Sequence, residues 1–181
     1  MRVLFEKLHS FRVLRIAFAV LFLCVLGFAL IMGDALEGKT GFAGMQTTFS
    51  KARLQAILDD WGKYGLIAYM NSMYIDFIFP FAYAVALASS VALLSTPKEN
   101  VAEPTRLALT IFVLPLAAGV FDLIENAFHL VLLPNLASFG GGLVFLSALA
   151  STIKFALMLI TILAIAYFAY QRLQARRQAE E

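Results

Sequence analysis

The amino-acid sequence predicts an all-α, polytopic membrane protein: a bundle of four transmembrane helices with one interfacial amphipathic helix in the first external loop. Three observations carry that prediction. Hydrophobic residues fill 61% of the 181 positions and charged residues only 14%, far from soluble averages. The mean hydropathy is +0.83. The apolar residues gather into four runs, at 16–32, 74–94, 107–133 and 143–170, each close to or above the roughly 20 residues needed to cross a hydrocarbon core about 30 Å thick. In lipid every backbone N–H and C=O must be paired within its own segment, so such runs are read as helices. One integral domain accounts for residues 1–181.

The first run follows Arg2, Lys7, Arg12 and Arg15 and has the outline of a secretory leader. Its apolar core exceeds the usual span of about 7–15 residues and no A-x-A cleavage site follows, so it is read as a retained helix. The second run contains Pro80, which is expected to bend it. The third and fourth are joined by a short uncharged link holding Pro134, Asn135 and the Gly140-Gly141-Gly142 turn. Orientation follows from Lys and Arg: a cytoplasmic amino terminus places Arg2, Lys7, Arg12, Arg15, Lys98, Arg106, Arg172, Arg176 and Arg177 inside. Both termini are then cytoplasmic, and the expected location is the plasma membrane, read as a bacterial inner membrane.

The external loop, 33–73, is the extended polar region. Within it Leu54, Ile57, Leu58 and Trp61 follow i, i+3, i+4, i+7 spacing after a Ser50 cap, which predicts an amphipathic helix at about 50–65. Lys51, Arg53, Asp59, Asp60 and Lys63 would face water or headgroups, and Trp61 and Tyr64 would join the aromatic belt. The same loop begins with Gly33-Asp34-Ala35-Leu36-Glu37-Gly38-Lys39-Thr40, a match to the phosphate-binding G-x-x-x-x-G-K-[ST]. Its context is wrong, because a working loop follows a buried strand and opens a helix, whereas this one leaves a transmembrane run. No nucleotide site is read from it.

Other classes are excluded by composition. The net charge of +2 comes from basic residues at the chain ends, not from a basic patch interleaved with aromatics, so nucleic acid is not expected as a partner. Cys24 is the single cysteine, which rules out an internal disulfide, a CxxC pair or a multi-cysteine zinc site. No cofactor is called for. Membrane lipids are the expected partners, with a homodimer or an accessory role in a membrane complex as further expectations.

Ionisable residues inside the apolar runs are the functional clue, since charge at bilayer depth is costly unless paired, hydrated or turned inward. Asp122, Glu125, Asn126 and His129 stand at i, i+3, i+4 and i+7, on one helical face. Ser147, Ser151, Lys154, Met158 and Thr161 make a second stripe on the fourth run. Asp122 lies about 18 Å from Pro134 and Lys154 about 20 Å from Gly141 at 1.5 Å rise per residue, so the two should lie level. Asp76 on the second run joins Glu125, Asn126 and His129 in the outer half, with Tyr83 seven residues further along the same face. The candidate ligand or proton site is therefore Asp76, Tyr83, Asp122, Glu125, Asn126, His129 and Lys154.

Three carboxylates near one lysine leave negative charge to be balanced by protons, a metal or a cationic ligand. The metal donors would be Asp122, Glu125 and His129, but Glu125 and His129 are four apart and lack the paired Glu-x-x-His of di-iron bundles, so no metal is assigned. The reading is an intramembrane pocket that binds a lipid or a small cationic or polar ligand, or a structural clamp through Asp/Glu–Lys pairing. The alternatives are a membrane-embedded lipid-modifying enzyme with Glu125 and His129 as acid and base, or a small proton-coupled transporter.

Gly62-Lys63-Tyr64-Gly65, Tyr69, Asp76, Pro80 and Tyr83, followed by Asp122-Leu123-Ile124-Glu125-Asn126 and Thr152-Ile153-Lys154, resemble small, uncharacterised bacterial four-helix membrane proteins with a D-x-x-E-N intramembrane motif. The resemblance spans roughly the last two-thirds of the chain, judged by motif spacing. It implies no activity.

Overall fold

The computed structural model describes residues 1–33, 35–39, 41–97 and 101–180. Among them are helices α1 (Arg2–Leu8), α2 (Phe11–Met32), α3 (Phe42–Gln46), α4 (Lys51–Asp76), α5 (Phe79–Ser95), α6 (Arg106–Leu132) and α7 (Gly141–Glu180), with a 3₁₀ turn at Leu133–Ser138. No strand occurs among the described residues. Side-chain caps mark three helix starts: Ser10, Ser50 and Thr105 accept from the backbone N–H of Val13, Arg53 and Ala108, pairing donors that the first turn leaves unused.

Three helical stretches are long and apolar enough to cross a membrane: Phe11–Met32, Arg106–Ser138 and Gly141–Gln178. A fourth arises if α4 and α5, bent by 45°, are counted as one span. The second run is therefore not one helix from 74 to 94. Asp76 ends α4, and α5 begins at Phe79 with Pro80 in its first turn. Proline lacks an N–H and fits a first turn, where none is needed, so the expected bend at Pro80 becomes a break with a new helix start.

The polarity is inverted relative to a water-soluble core. Large apolar side chains such as Phe22, Leu23 and Leu30 on α2 and Leu159 and Leu163 on α7 are exposed, while Asp122, Glu125, Asn126, His129 and Lys154 are buried. A continuous apolar exterior of this kind fits an apolar solvent. α6 lies at the centre, packed on α5 and α7, while α2 packs on α5 and α4.

Two apolar cores close the ends. At the loop end Met32, Met45, Leu54, Trp61, Tyr69, Leu132 and Val144 pack together. At the end holding both termini Phe5, Leu8, Val91, Phe112 and Phe168 do so, with the Phe5 and Phe112 rings 5.0 Å apart. The amino-terminal helix α1 thus folds back onto the bundle, a feature that sequence reading missed. His9 Nε2 lies 2.9 Å from the carbonyl oxygen of Thr96, and Arg172 donates to that same oxygen. Lys98 of the expected basic end, and Asp34 and Thr40 of the phosphate-loop match, lie outside the described residues.

The amphipathic segment starts at Lys51 as its cap predicts, and its helix breaks at Gly62, close to the expected end, after which a second helical stretch of α4 runs on to Asp76. Its apolar face persists in register through Gly65, Ala68, Tyr69, Ser72 and Met73, all buried. Trp61 is 1% exposed and packs 5.5 Å from Tyr69, ring to ring. It belongs to the core, not to the surface belt, because the helix lies on the bundle and spends its apolar face there. At Gly62 the backbone turns to φ 65°, a conformation that glycine alone adopts without strain. The Lys39 ammonium donates to the carbonyl of Trp61 at 2.9 Å, just before this break, where carbonyls lose their helical donors. The lysine of the phosphate-loop match is thereby a helix cap.

Candidate functional site

The polar layer lies between the two cores and is built mainly by α6 and α7. With 3.6 residues per turn, the spacing of Asp122, Glu125, Asn126 and His129 puts all four on the inward face of α6, and each is at most 2% exposed. Ser147, Ser151, Lys154 and Thr161 turn inward from α7. Lys154 and Asp122 do lie level: Lys154 Nζ is 2.6 Å from Asp122 Oδ1 and 2.6 Å from Glu125 Oε2. One ammonium therefore bridges two carboxyl groups, in the place that a metal ion between Asp122 and Glu125 would need. Among the described residues no group of His, Cys, Asp and Glu has metal-binding geometry.

The layer continues away from Lys154. His129 Nδ1 and the Tyr69 hydroxyl share a 2.8 Å hydrogen bond, and the same nitrogen is 3.8 Å from Glu125 Oε1. Tyr69 comes from α4, so the loop-end cap contributes directly to the buried network. Tyr69 carries a role that sequence reading did not assign. The signal was there, in its place on the buried face that runs on from Trp61. Asn126 Nδ2 donates 2.8 Å to the backbone carbonyl of Asp76, a carbonyl left over where α4 ends. This bond ties the α4–α5 break to α6.

Tyr83 is buried, its ring 5.4 Å from that of Phe79. Its hydroxyl is within electrostatic reach of Asp122 but makes no well-formed hydrogen bond. Asn126 Oδ1 is likewise unpartnered within the layer.

Asp76, half-buried, stands apart from the bridge, within electrostatic reach of Asp122 and Lys154. It lines a cavity of about 260 Å³ together with Phe28, Gln46, Phe79, Asp122, Lys154, Phe155 and Met158. The lining combines three charged residues with Phe28, Phe79, Phe155 and Met158, and Lys154 Nζ lies 5.1 Å from the centre of the Phe155 ring. Glu125, Asn126, His129 and Tyr83 do not line it. A larger groove of about 540 Å³ lies at the loop end between Gly62 and Asn135, but it is open and none of the buried ionisable groups borders it. Of the candidate residues, the structure thus joins Asp122, Glu125 and Lys154 directly, sets His129 beside Glu125 at 3.8 Å, and places Asp76 with Asp122 and Lys154 around one cavity. Phe28, Gln46, Phe79 and Phe155 are lining residues with no mark in the sequence.

Fold and site together define an all-helical protein with an apolar exterior and a buried ionisable layer beside a small cavity. No known protein family, curated protein or solved structure matches this chain.

Proposed function

We propose that the chain is a four-span protein of a bacterial inner membrane that holds a lipid or a small cationic or polar ligand in the cavity bounded by Asp76, Asp122 and Lys154. The α4–α5 pair then serves as the second span, and both termini are cytoplasmic. The observation that carries the reading is the cavity, which gathers Asp76, Asp122 and Lys154 with Phe28, Phe79, Phe155 and Met158. Ligand sites are concave, mostly apolar and furnished with a few convergent polar groups. Ionisable groups at bilayer depth without a functional or pairing reason are rare.

A second reading is favoured by the Lys154 bridge, which clamps α6 to α7. The two roles are compatible, because the bridge also holds Asp122 and Lys154 at the cavity wall. A lipid-modifying enzyme using Glu125 and His129 gains less support, since neither residue borders the cavity and acid–base work requires reach to the substrate.

Native mass spectrometry of the protein released from nanodiscs tests the reading, comparing the wild type with Met158→Trp, which fills the cavity without touching a charge. A specific bound mass is expected in the wild type and absent in the variant, at unchanged helical content. If the two carry the same masses, the cavity is not a binding site. For the topology, a reporter inserted at Gly44 should lie outside the cell; labelling of Gly44 from the cytoplasm overturns the orientation.

A further inference from the structure

The cavity is lined by both charged and apolar side chains, and that combination restricts what can occupy it. Resting on the ligand-binding reading above, we propose that the occupant is an amphiphile with an alkylammonium head, the cation set on Asp76 and Asp122 and the tail against Phe28, Phe79, Phe155 and Met158.

The charge sign comes first. Asp76, Asp122 and Lys154 line the cavity, but Lys154 is already bound at 2.6 Å by both Asp122 and Glu125. Among the described residues Asp76 has no Lys or Arg within ion-pair distance. An anionic head would meet two carboxyl groups and one lysine whose charge is already shared. An ammonium meets two acceptors and completes the pairing that the layer lacks.

Size and access set the rest. An apolar protein cavity of roughly 150 Å³ admits benzene, so one of about 260 Å³ takes an ammonium with several carbons and not a whole diacyl lipid. The remainder of the tail must leave the cavity. Phe28 comes from α2, and Phe155 and Met158 from α7, two helices that are not among the closely packed pairs. Phe155 is 37% exposed. The seam between α2 and α7 therefore connects the apolar lining to the lipid-facing surface, and an amphiphile can slide in sideways with its tail remaining in the bilayer. Two sources share this chemistry, a free alkylamine and the ethanolamine headgroup of a lipid.

The test uses the full chain in phosphatidylcholine nanodiscs, titrated with dodecylamine, dodecyl sulfate and dodecanol and read by native mass spectrometry, for wild type, Asp76→Asn and Met158→Trp. Dodecylammonium should bind once. Asp76→Asn should weaken it by about thirtyfold or more, the effect of removing one member of a buried charge pair, while dodecanol binding stays the same. Dodecyl sulfate binding as tightly as dodecylammonium, or Asp76→Asn leaving dodecylammonium affinity unchanged, overturns the proposal. Should Asp76→Asn fail to fold, the wild-type preference for dodecylammonium over dodecyl sulfate decides alone, and its absence overturns the inference. If dodecanol or dodecyl sulfate is the favoured probe and is lost in Met158→Trp, the cavity binds ligands and only the cationic head is wrong. If no probe responds to Met158→Trp, the ligand-binding reading falls as well. Repeating the comparison with phosphatidylethanolamine in the nanodisc separates the sources: its retention by wild type and loss in Asp76→Asn identifies the headgroup, and its absence beside tight dodecylammonium binding identifies the free amine.

Discussion

Replacing Lys154 with Met should be the most damaging single substitution, lowering stability by about 3 to 5 kcal/mol, the cost of breaking a buried ion pair by removing one partner. The physical reason is local. Lys154 Nζ lies 2.6 Å from both Asp122 and Glu125, and all three side chains are almost fully buried. Without the ammonium, two carboxyl groups one helical turn apart face each other with neither water nor counter-charge. The effect should appear as a large drop in the thermal unfolding midpoint in detergent micelles. Combining Lys154→Met with Asp122→Asn and Glu125→Gln should recover much of the loss, because replacing a whole buried ionic group is often nearly neutral where removing one member is not. If Lys154→Met unfolds at the wild-type temperature, the bridge is not part of the folded protein.

Gly119→Leu should have the second largest effect, through helix separation instead of charge. A Cβ built at Gly119 on α6 already lies 3.3 Å from Ala84 Cβ and 3.3 Å from the backbone carbonyl oxygen of Pro80, both on α5. A backbone oxygen cannot rotate away, so a longer side chain must push α5 from α6. Close approach at small residues is a main source of helix association in membranes, and overpacking of a tight contact costs about 1 to 3 kcal/mol or more. Gly119→Ala, with a contact that only a few tenths of an ångström would relieve, should cost less than half as much. Unfolding midpoints of the two variants in the same micelles check the order. Equal stability of Gly119→Leu and wild type would place α5 and α6 further apart than described. A shift of α5 also moves Phe79, so the leucine variant should lose cavity ligand along with stability.

How much of this was legible in the residues differs from feature to feature. The polar stripe of α6 was readable because helix geometry converts a spacing of three, four and seven into one face without any tertiary knowledge. Its meeting with Lys154 followed from counting rise per residue along two spans joined by a short link. The start of α4 was readable from Ser50, whose hydroxyl serves a donor only one turn away. The break between Asp76 and Phe79 was half visible: Pro80 announced a disturbance, but whether a chain bends or restarts at proline depends on who receives the freed carbonyls. Here Asn126, fifty residues later, receives that of Asp76. Trp61 was misplaced for a related reason, since an amphipathic face signals only that something apolar will cover it. Lipid and the rest of the bundle are equivalent to the periodicity, and the bundle won.

By itself, then, the sequence determined that the chain is helical and apolar enough for a membrane, which faces of its helices are polar, and which ionisable residues stand inside its long apolar runs. These are local properties, set by composition and by a helical repeat that every segment obeys alone. The tertiary structure decided that Lys154 bridges Asp122 and Glu125, that Tyr69 of the loop-end helix serves His129, and that Phe28, Gln46, Phe79 and Phe155 enclose a cavity with Asp76. Those are relations between segments far apart in the chain. They depend on helix crossings and side-chain packing, which no one-dimensional period contains.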